Sequence, residues 1–306
     1  AAARSASFKD DESALLTNLG NIHLELREFD KAIEYFELSL DMHQELGDEQ
    51  GTGIVLNSLG SVYVQTREFG KAVEYYEQSL AIHRQFESQR NASDTLNNLG
   101  ALTQQMGQLE TAIDYYKQSL ALTRETKDRY TEASTLSNIG AAYSEMSQWA
   151  DALAYLQEAL SIDRELGNLA GESGALVNLG STHSGMKNYR VAIDYFKQAL
   201  SLARKIGHQH REGVALHGLG RAYMKLKQYS DAISFLRQSV DLSRASHDPE
   251  GQAASLQELG RCAWMIGEID LAKQSFKASA RYYTKFDSPQ AATLMMIVKL
   301  LGEYES

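Results

Sequence analysis

Residues 96–120 read LNNLGALTQQMGQLETAIDYYKQSL, and Gly100 in the middle of that run is one of seven glycines set 40 residues apart: Gly20, Gly60, Gly100, Gly140, Gly180, Gly220 and Gly260. Leu or Ile precedes each of them. An alanine follows twelve residues later every time, at Ala32, Ala72, Ala112, Ala152, Ala192, Ala232 and Ala272, so no repeat has gained or lost a residue. Self-similarity at one fixed period marks a solenoid of a single repeated module.

Each repeat reads as two helices. In the first, Leu16, Leu19, Gly20 and His23, then Leu56, Leu59, Gly60 and Tyr63, and so on to Leu216, Leu219, Gly220 and Tyr223, fall at i, i+3, i+4 and i+7, which is one helical face. In the second, Ile33, Phe36 and Leu40 recur as Val73, Tyr76 and Leu80, then as Ile113, Tyr116 and Leu120. A glycine costs about 1 kcal/mol in mid-helix, so its sevenfold recurrence is read as close packing of helix axes, with no catalytic role. Arg-Glu-Phe at 27–29 and 67–69 and Met-Gly-Gln at 106–108 mark turns inside a repeat, and Leu-Gly-Asp at 46–48 and Leu-Gly-Asn at 166–168 mark turns between repeats. Such short loops force antiparallel neighbours, and each pair touches only the next. The expected fold is an all-α solenoid.

Leu-x-x-Leu-Gly-x-x-Tyr followed by Ala-x-x-x-Phe/Tyr resembles the tetratricopeptide repeat. The resemblance covers seven units over residues 12–287, with residues 1–11 left as an N-terminal extension or tag remnant and residues 288–306 as a capping helix or the start of an eighth repeat. It implies a right-handed superhelix of antiparallel helix pairs with partners held in a concave groove. Two features depart from the pattern. Gln44, Arg84, Arg124, Arg164 and Arg204 stand where the family's closing proline falls, and the period is 40 against the family's roughly 34, so longer helices are expected. Asn-Leu-Gly at 18–20, 98–100 and 178–180 is similar to the Leu-Gly-Asn spindle-orientation adaptors and, more loosely, to kinesin light chain. Those adaptors place an arginine one turn before the groove asparagine. Here that position reads Ala14, Ile54, Asp94, Ser134, Gly174, Val214 and Ala254, so only the mode of binding transfers.

The chain has 306 residues, 43% of them hydrophobic, with two prolines and no apolar run long enough for a membrane span. The lone cysteine, Cys262, excludes an internal disulfide framework. It sits on a first helix as a small, partly buried side chain. Ala1 to Ser7 lacks a hydrophobic signal region, and a cytoplasmic location is expected. Net charge is −10, unevenly spread: residues 1–160 carry 12 Lys+Arg against 25 Asp+Glu, and residues 161–306 carry 18 against 15. An acidic total argues against nucleic-acid binding, which requires a basic stripe. The polarity has two readings, solubility of a long array and orientation of a bound peptide.

Counted from each glycine, the stripe at −2, +1 and +5 lies nearly opposite the packing stripe, and in the resembling family it lines the groove. Position −2 holds Asn18, Asn98, Asn138 and Asn178; position +1 adds Asn21, Arg221 and Arg261; position +5 adds Gln105 and Lys225. Asparagine amides both donate and accept, so they grip a peptide backbone without reading its side chains. Ala101, Ala141, Ser181 and Gly185 leave room for those side chains. Two readings of Arg221, Lys225 and Arg261 stand open: a seat for an acidic residue, a phosphate or a free C-terminus of the ligand, or pairing with Glu258. Trp264, with Met224 and Met265 beside it, is read either as an apolar anchor or as core beneath the last repeat.

Signals for chemistry are weak. His208, His210 and His217 lack the facing Cys or carboxylate set of a zinc site, His43 and His83 share one repeat position, and the periodic glycines lie inside helices and not in a phosphate-cradling loop. No enzyme activity, cofactor or metal is expected. Pro249 after Asp248 and Pro289 after Ser288 look like caps followed by a first helical residue. The helix starting near 289, with Leu294-Met-Met-Ile-Val-Lys-Leu-Leu301, is apolar nearly all round and is expected to pack on both sides. It is read as an eighth repeat begun two residues late, with Tyr304 and Glu305 breaking the pattern, or as a surface for self-association. The expected function is an adaptor that binds a partner peptide. The alternatives are a sensor arm of a larger signalling protein, similar to bacterial peptide-pheromone receptors, and a structural spacer.

Overall fold

The computed structural model describes residues 2–284 and 288–303, with side chains placed from residue 11 onward and up to residue 302. Tyr304 and Glu305 lie outside the described residues. Fifteen helices follow one another, and no strand occurs among the described residues: α1 Ala2–Glu25, α2 Phe29–Leu46, α3 Glu49–Gln65, α4 Phe69–Gln85, α5 Gln89–Gln105, α6 Leu109–Thr126, α7 Arg129–Glu145, α8 Trp149–Leu166, α9 Leu169–Gly185, α10 Tyr189–Lys205, α11 Gln209–Lys225, α12 Tyr229–Ala245, α13 Pro249–Met265, α14 Ile269–Thr284 and α15 Pro289–Glu303. Odd helices carry the periodic glycine and even helices the periodic alanine. The chain forms two compact units, residues 1–146 with α1–α7 and residues 147–306 with α8–α15. Helix α1 already runs through the residues read as an extension.

The glycine's role is sharper than close approach of two axes. A Cβ on Gly60 would lie 2.6 Å from the Tyr76 ring, one on Gly100 2.5 Å from Tyr116, and one on Gly180 2.8 Å from Phe196. The even helix therefore lays its large side chain, sixteen residues later, flat across the glycine backbone. Full burial of such a side chain contributes about 2–3 kcal/mol, more than the glycine's helix penalty of about 1 kcal/mol. The periodic alanines are fully buried without exception.

A buried hydroxyl ties the two helices of a repeat together. Ser39 Oγ donates to the Ser13 carbonyl at 3.0 Å, Ser79 to Gly53 at 2.7 Å, Ser119 to Ser93 at 2.9 Å, Ser239 to Gly213 at 3.2 Å and Ser279 to Ala253 at 2.8 Å. Where position 199 is alanine the direction reverses, and Ser173 Oγ donates to the Ala199 carbonyl at 3.2 Å. Polar side chains at the position before the groove asparagine join neighbouring repeats: Asn97 Nδ2 donates to Ser119 Oγ and to Thr135 Oγ1, both at 2.9 Å.

The arginines that replace the closing proline have a structural purpose. Arg124 Nε meets Glu132 Oε1 at 2.9 Å, Arg164 meets Glu172 at 2.7 Å and Arg204 meets Glu212 at 2.7 Å, each spanning the turn into the next odd helix. Those turns end in helix caps of the expected type. Asp48, Asp128, Asn168 and Asp248 accept from the backbone N–H three residues on, and His208 does the same through Nδ1 at 3.4 Å. His208 thus serves as a helix cap.

Helix α15 begins at Pro289 as expected and buries Leu294 and Leu301, with Ile297 and Val298 beside them, against α14. That set matches an odd helix displaced by two residues. Within this chain only one side of α15 is covered, and Met295, Met296 and Leu300 on the other are 47%, 65% and 51% exposed.

Candidate functional site

The stripe at −2, +1 and +5 stands at the surface of the odd helices. Asn18, Asn21 and Gln105 are exposed, and Asn98, Asn138 and Asn178 are half-buried. Within the unit of residues 1–146 the amides are engaged sideways as well as outward. Asn98 Nδ2 donates to Asn57 Oδ1 of the preceding odd helix at 3.0 Å, and Gln104 Nε2 donates to Glu145 Oε1 at 2.5 Å. The large rings beneath the glycines reach the same face: Tyr76 Oη lies 3.0 Å from Ser61 Oγ, and Tyr116 Oη donates to Gln104 Oε1 at 3.0 Å.

In the unit of residues 147–306 five members of the stripe converge. Ser181, Gly185, Gly218, Arg221 and Lys225 line one open cleft of about 420 Å³ between α9, α10 and α11, together with Ser184, Tyr189, Phe196, Val214 and His217. Two glycines that depart from the earlier repeats shape it, and aromatic rings lie over both: a Cβ on Gly185 would meet the Trp149 ring at 2.7 Å. Gly185 stands where the first four repeats have Glu or Gln, and Gly218 where the first five have Asn or Ser. Phe196 replaces the tyrosines seen at 76 and 116 and carries no hydroxyl to satisfy. A Cβ on Gly218 would sit 2.6 Å from the Phe196 ring, so that glycine is what admits the ring to the cleft. The lining is aromatic below and cationic at the α11 end.

The cationic cluster divides. Arg261 pairs with Glu258 at 3.3 Å, and Arg221 approaches the same carboxylate at 3.9 Å. Lys225 is exposed and forms no ion pair among the described residues. The pairing reading therefore holds for Arg261, with Arg221 at the edge of the same carboxylate, and Lys225 stands apart from it. Coulomb attraction from the remaining positive charge favours an anionic group.

His217 is the cleft residue that sequence reading set aside. Its Nδ1 lies 3.1 Å from Ser255 Oγ, which in turn lies 2.9 Å from Ser239 Oγ. Burial and the neighbouring Arg221 push its pKa down to about 4, so the ring is neutral at pH 7. Tyr189, Phe196 and Ser184 also carried no sequence signal as site residues. Trp264 and Met265 are 53% and 59% exposed, whereas Met224 is half-buried against Leu236, Leu259 and Cys262. The core reading thus holds for Met224 alone, and Trp264 and Met265 lie at the surface. Among the described residues no three His, Cys, Asp or Glu side chains are placed to hold a metal ion, and no helix is long and apolar enough to cross a membrane.

Tandem antiparallel helix pairs that leave a polar stripe and a ligand-sized cleft on their odd helices define a helical-repeat interaction protein. The tetratricopeptide repeat family model matches residues 11–85, 91–165, 171–245 and 212–285. The chain belongs to the tetratricopeptide repeat family. No curated protein sequence matches it. Among solved structures it is similar to the apo form of RapI, at 18% identity and a TM-score of 0.73 over 90% of this chain and 99% of that one. A Rap protein complexed with competence and sporulation factor matches at 15% identity and a TM-score of 0.63 over 98% of both chains. Kinesin light chain TPR-like repeats from Podospora anserina match at 20% identity and a TM-score of 0.51, over 63% of this chain and 95% of that one. These likenesses show the fold.

Proposed function

We propose that the chain is an adaptor that holds a segment of a partner protein against the odd-helix stripe. The asparagines at 18, 21, 98, 138 and 178 and Gln105 grip the segment's backbone in this reading, and the α9–α10–α11 cleft seats one of its side chains. The observation that carries it is the convergence of Ser181, Gly185, Gly218, Arg221 and Lys225 on one cleft with an aromatic lining. The seated group is an apolar or aromatic side chain next to a carboxylate, which meets Lys225 and Arg221 as a charge-assisted pair. Trp264 offers a further apolar anchor, of the large aromatic kind that dominates interface energetics.

The test is selection from a random peptide display library on the intact chain, followed by titration of the enriched peptides. Acidic-aromatic peptides are expected, with affinity lost at least tenfold in the Arg221→Glu/Lys225→Glu variant and weakened in Asn178→Ala, while thermal stability stays nearly unchanged. Failure to enrich any sequence, or equal binding to the double variant, overturns the reading.

A second reading is favoured by the similarity to a Rap protein complexed with competence and sporulation factor. In it the array is the sensor arm of a signalling protein, and ligand binding changes its curvature. Small-angle scattering with and without an enriched peptide separates the two: an adaptor keeps its radius of gyration and a sensor does not.

A further inference from the structure

We propose that the cavity between α4, α5 and α6 is a separate binding site, one that takes a small monocarboxylate with an apolar body and seats its carboxylate on Arg84. None of the residues lining it belongs to the odd-helix stripe. In three later repeats the arginine at this position holds a glutamate eight residues on: Arg124 Nε meets Glu132 Oε1 at 2.9 Å, and Arg164 meets Glu172 and Arg204 meets Glu212 at 2.7 Å. Eight residues after Arg84 stands Ala92. The guanidinium is nevertheless anchored through the same nitrogen. Arg84 Nη2 donates to Gln118 Oε1 at 2.8 Å, as Arg204 Nη2 donates to Gln238 Oε1 at 3.1 Å while its Nε takes Glu212. Arg84 forms no ion pair among the described residues. Its Nε lacks the carboxylate that those repeats supply.

Space and a second unmet group mark the same junction. Arg84 and Ala92 line an open cavity of about 780 Å³, the size of a small-molecule site. His83 lines it too, is 1% exposed, and has no hydrogen-bond partner for its Nδ1 among the described residues, and such a buried group calls for a reason. At the same position one repeat earlier, His43 Nδ1 meets the Asp48 carboxylate at 2.8 Å. Ser88 replaces that aspartate and makes no side-chain cap. Two adjacent residue types that take carboxylates elsewhere in the chain thus lack them here. The rest of the wall selects the ligand's body. Leu96, Ala121 and Leu122 give an apolar surface, and Glu87, exposed in the turn, repels a second carboxylate. A guanidinium pairs strongly with one carboxylate, so the matching ligand is a monoanion with an aliphatic or aryl chain.

The probe is octanoate, titrated calorimetrically into the intact chain at low salt, with octan-1-ol and N-acetyl-leucyl-leucine for comparison. Saturable binding of octanoate at a single site is expected, with octan-1-ol about tenfold weaker. Arg84→Gln, a change at an exposed side chain, should also cost about tenfold in affinity, and Glu87→Gln should strengthen binding about threefold. Ala92→Glu supplies the glutamate of the later repeats and should abolish octanoate binding while the melting temperature holds or rises. Arg221→Glu/Lys225→Glu, the test of the α9–α10–α11 cleft, should leave octanoate binding unchanged, so the two sites stand or fall separately. No saturable binding of octanoate, binding that ignores Arg84→Gln or Ala92→Glu, or loss in the cleft double variant overturns the proposal. Tighter binding of N-acetyl-leucyl-leucine than of octanoate overturns it too, because the cavity would then be a seat for a peptide's C-terminus.

Discussion

Gly100 and Gly70 are both helical, yet they make opposite predictions. A Cβ on Gly100 meets the Tyr116 ring at 2.5 Å, whereas one on Gly70 has nothing within 4 Å. Gly100→Ala should lose about 1–3 kcal/mol through overpacking despite alanine's better helix propensity, and Gly70→Ala should gain about 0.5–1 kcal/mol; urea melts of the pair check both signs. His217 is neutral in the fold down to about pH 4, while the unfolded chain takes up a proton near the ordinary histidine value of about 6.5. The unfolded state therefore binds more protons between those limits, and stability falls as pH drops through that window. The groups around the ring are Arg221 on its own helix, Ser255 on α13 and, behind Ser255, Ser239 on α12. The loss from this one group is about 2 kcal/mol between pH 7 and pH 5, and His217→Asn should flatten the acid limb of the melting curve by that amount. Cys262 is fully buried, deeper than its sequence position suggested, and burial with the nearby Glu258 pushes its thiol up to about 11. Native protein should resist thiol-specific labelling at pH 8, and denaturant should release one reactive thiol per chain.

At the scale of the element, the helix pair is held by its buried hydroxyl as well as by apolar area. Ser119 donates to the Ser93 carbonyl at 2.9 Å and also accepts from Asn97 Nδ2. Ser119→Ala leaves both groups without that partner and should cost about 1–3 kcal/mol, measurable as a lower urea midpoint with unchanged m-value. Helix existence, order and turns were legible because the apolar period and the turn residues repeat seven times in register. The serine ladder and the arginine–glutamate links were not. Their partners are 26 and 8 residues apart, and a single serine or arginine in an amphipathic helix reads the same whether it faces a carbonyl or water. The helix of 289–303 shows the same limit: its start followed from Ser288-Pro289, but an apolar sequence does not say which face a neighbour covers.

At the scale of the whole molecule, charge should set how the adaptor responds to its medium. With residues 1–160 strongly acidic and the cleft cations in the later part, an acidic peptide selected on the chain should lose several-fold in affinity between about 50 and 300 mM salt, as exposed charges are screened; anisotropy titrations at a series of ionic strengths provide the check. The sequence by itself determined the repeat, its length, the two-helix module and the polar stripe, because packing of identical modules imposes a period that composition must obey. Only the tertiary structure decided which stripe residues form a site. Gly185, Gly218 and Phe196 lie on three helices; each glycine alone is an ordinary lapse from the repeat pattern, and the phenylalanine keeps it. They line one cleft only because the fold sets them side by side, with the Trp149 and Phe196 rings lying where side chains at 185 and 218 would stand.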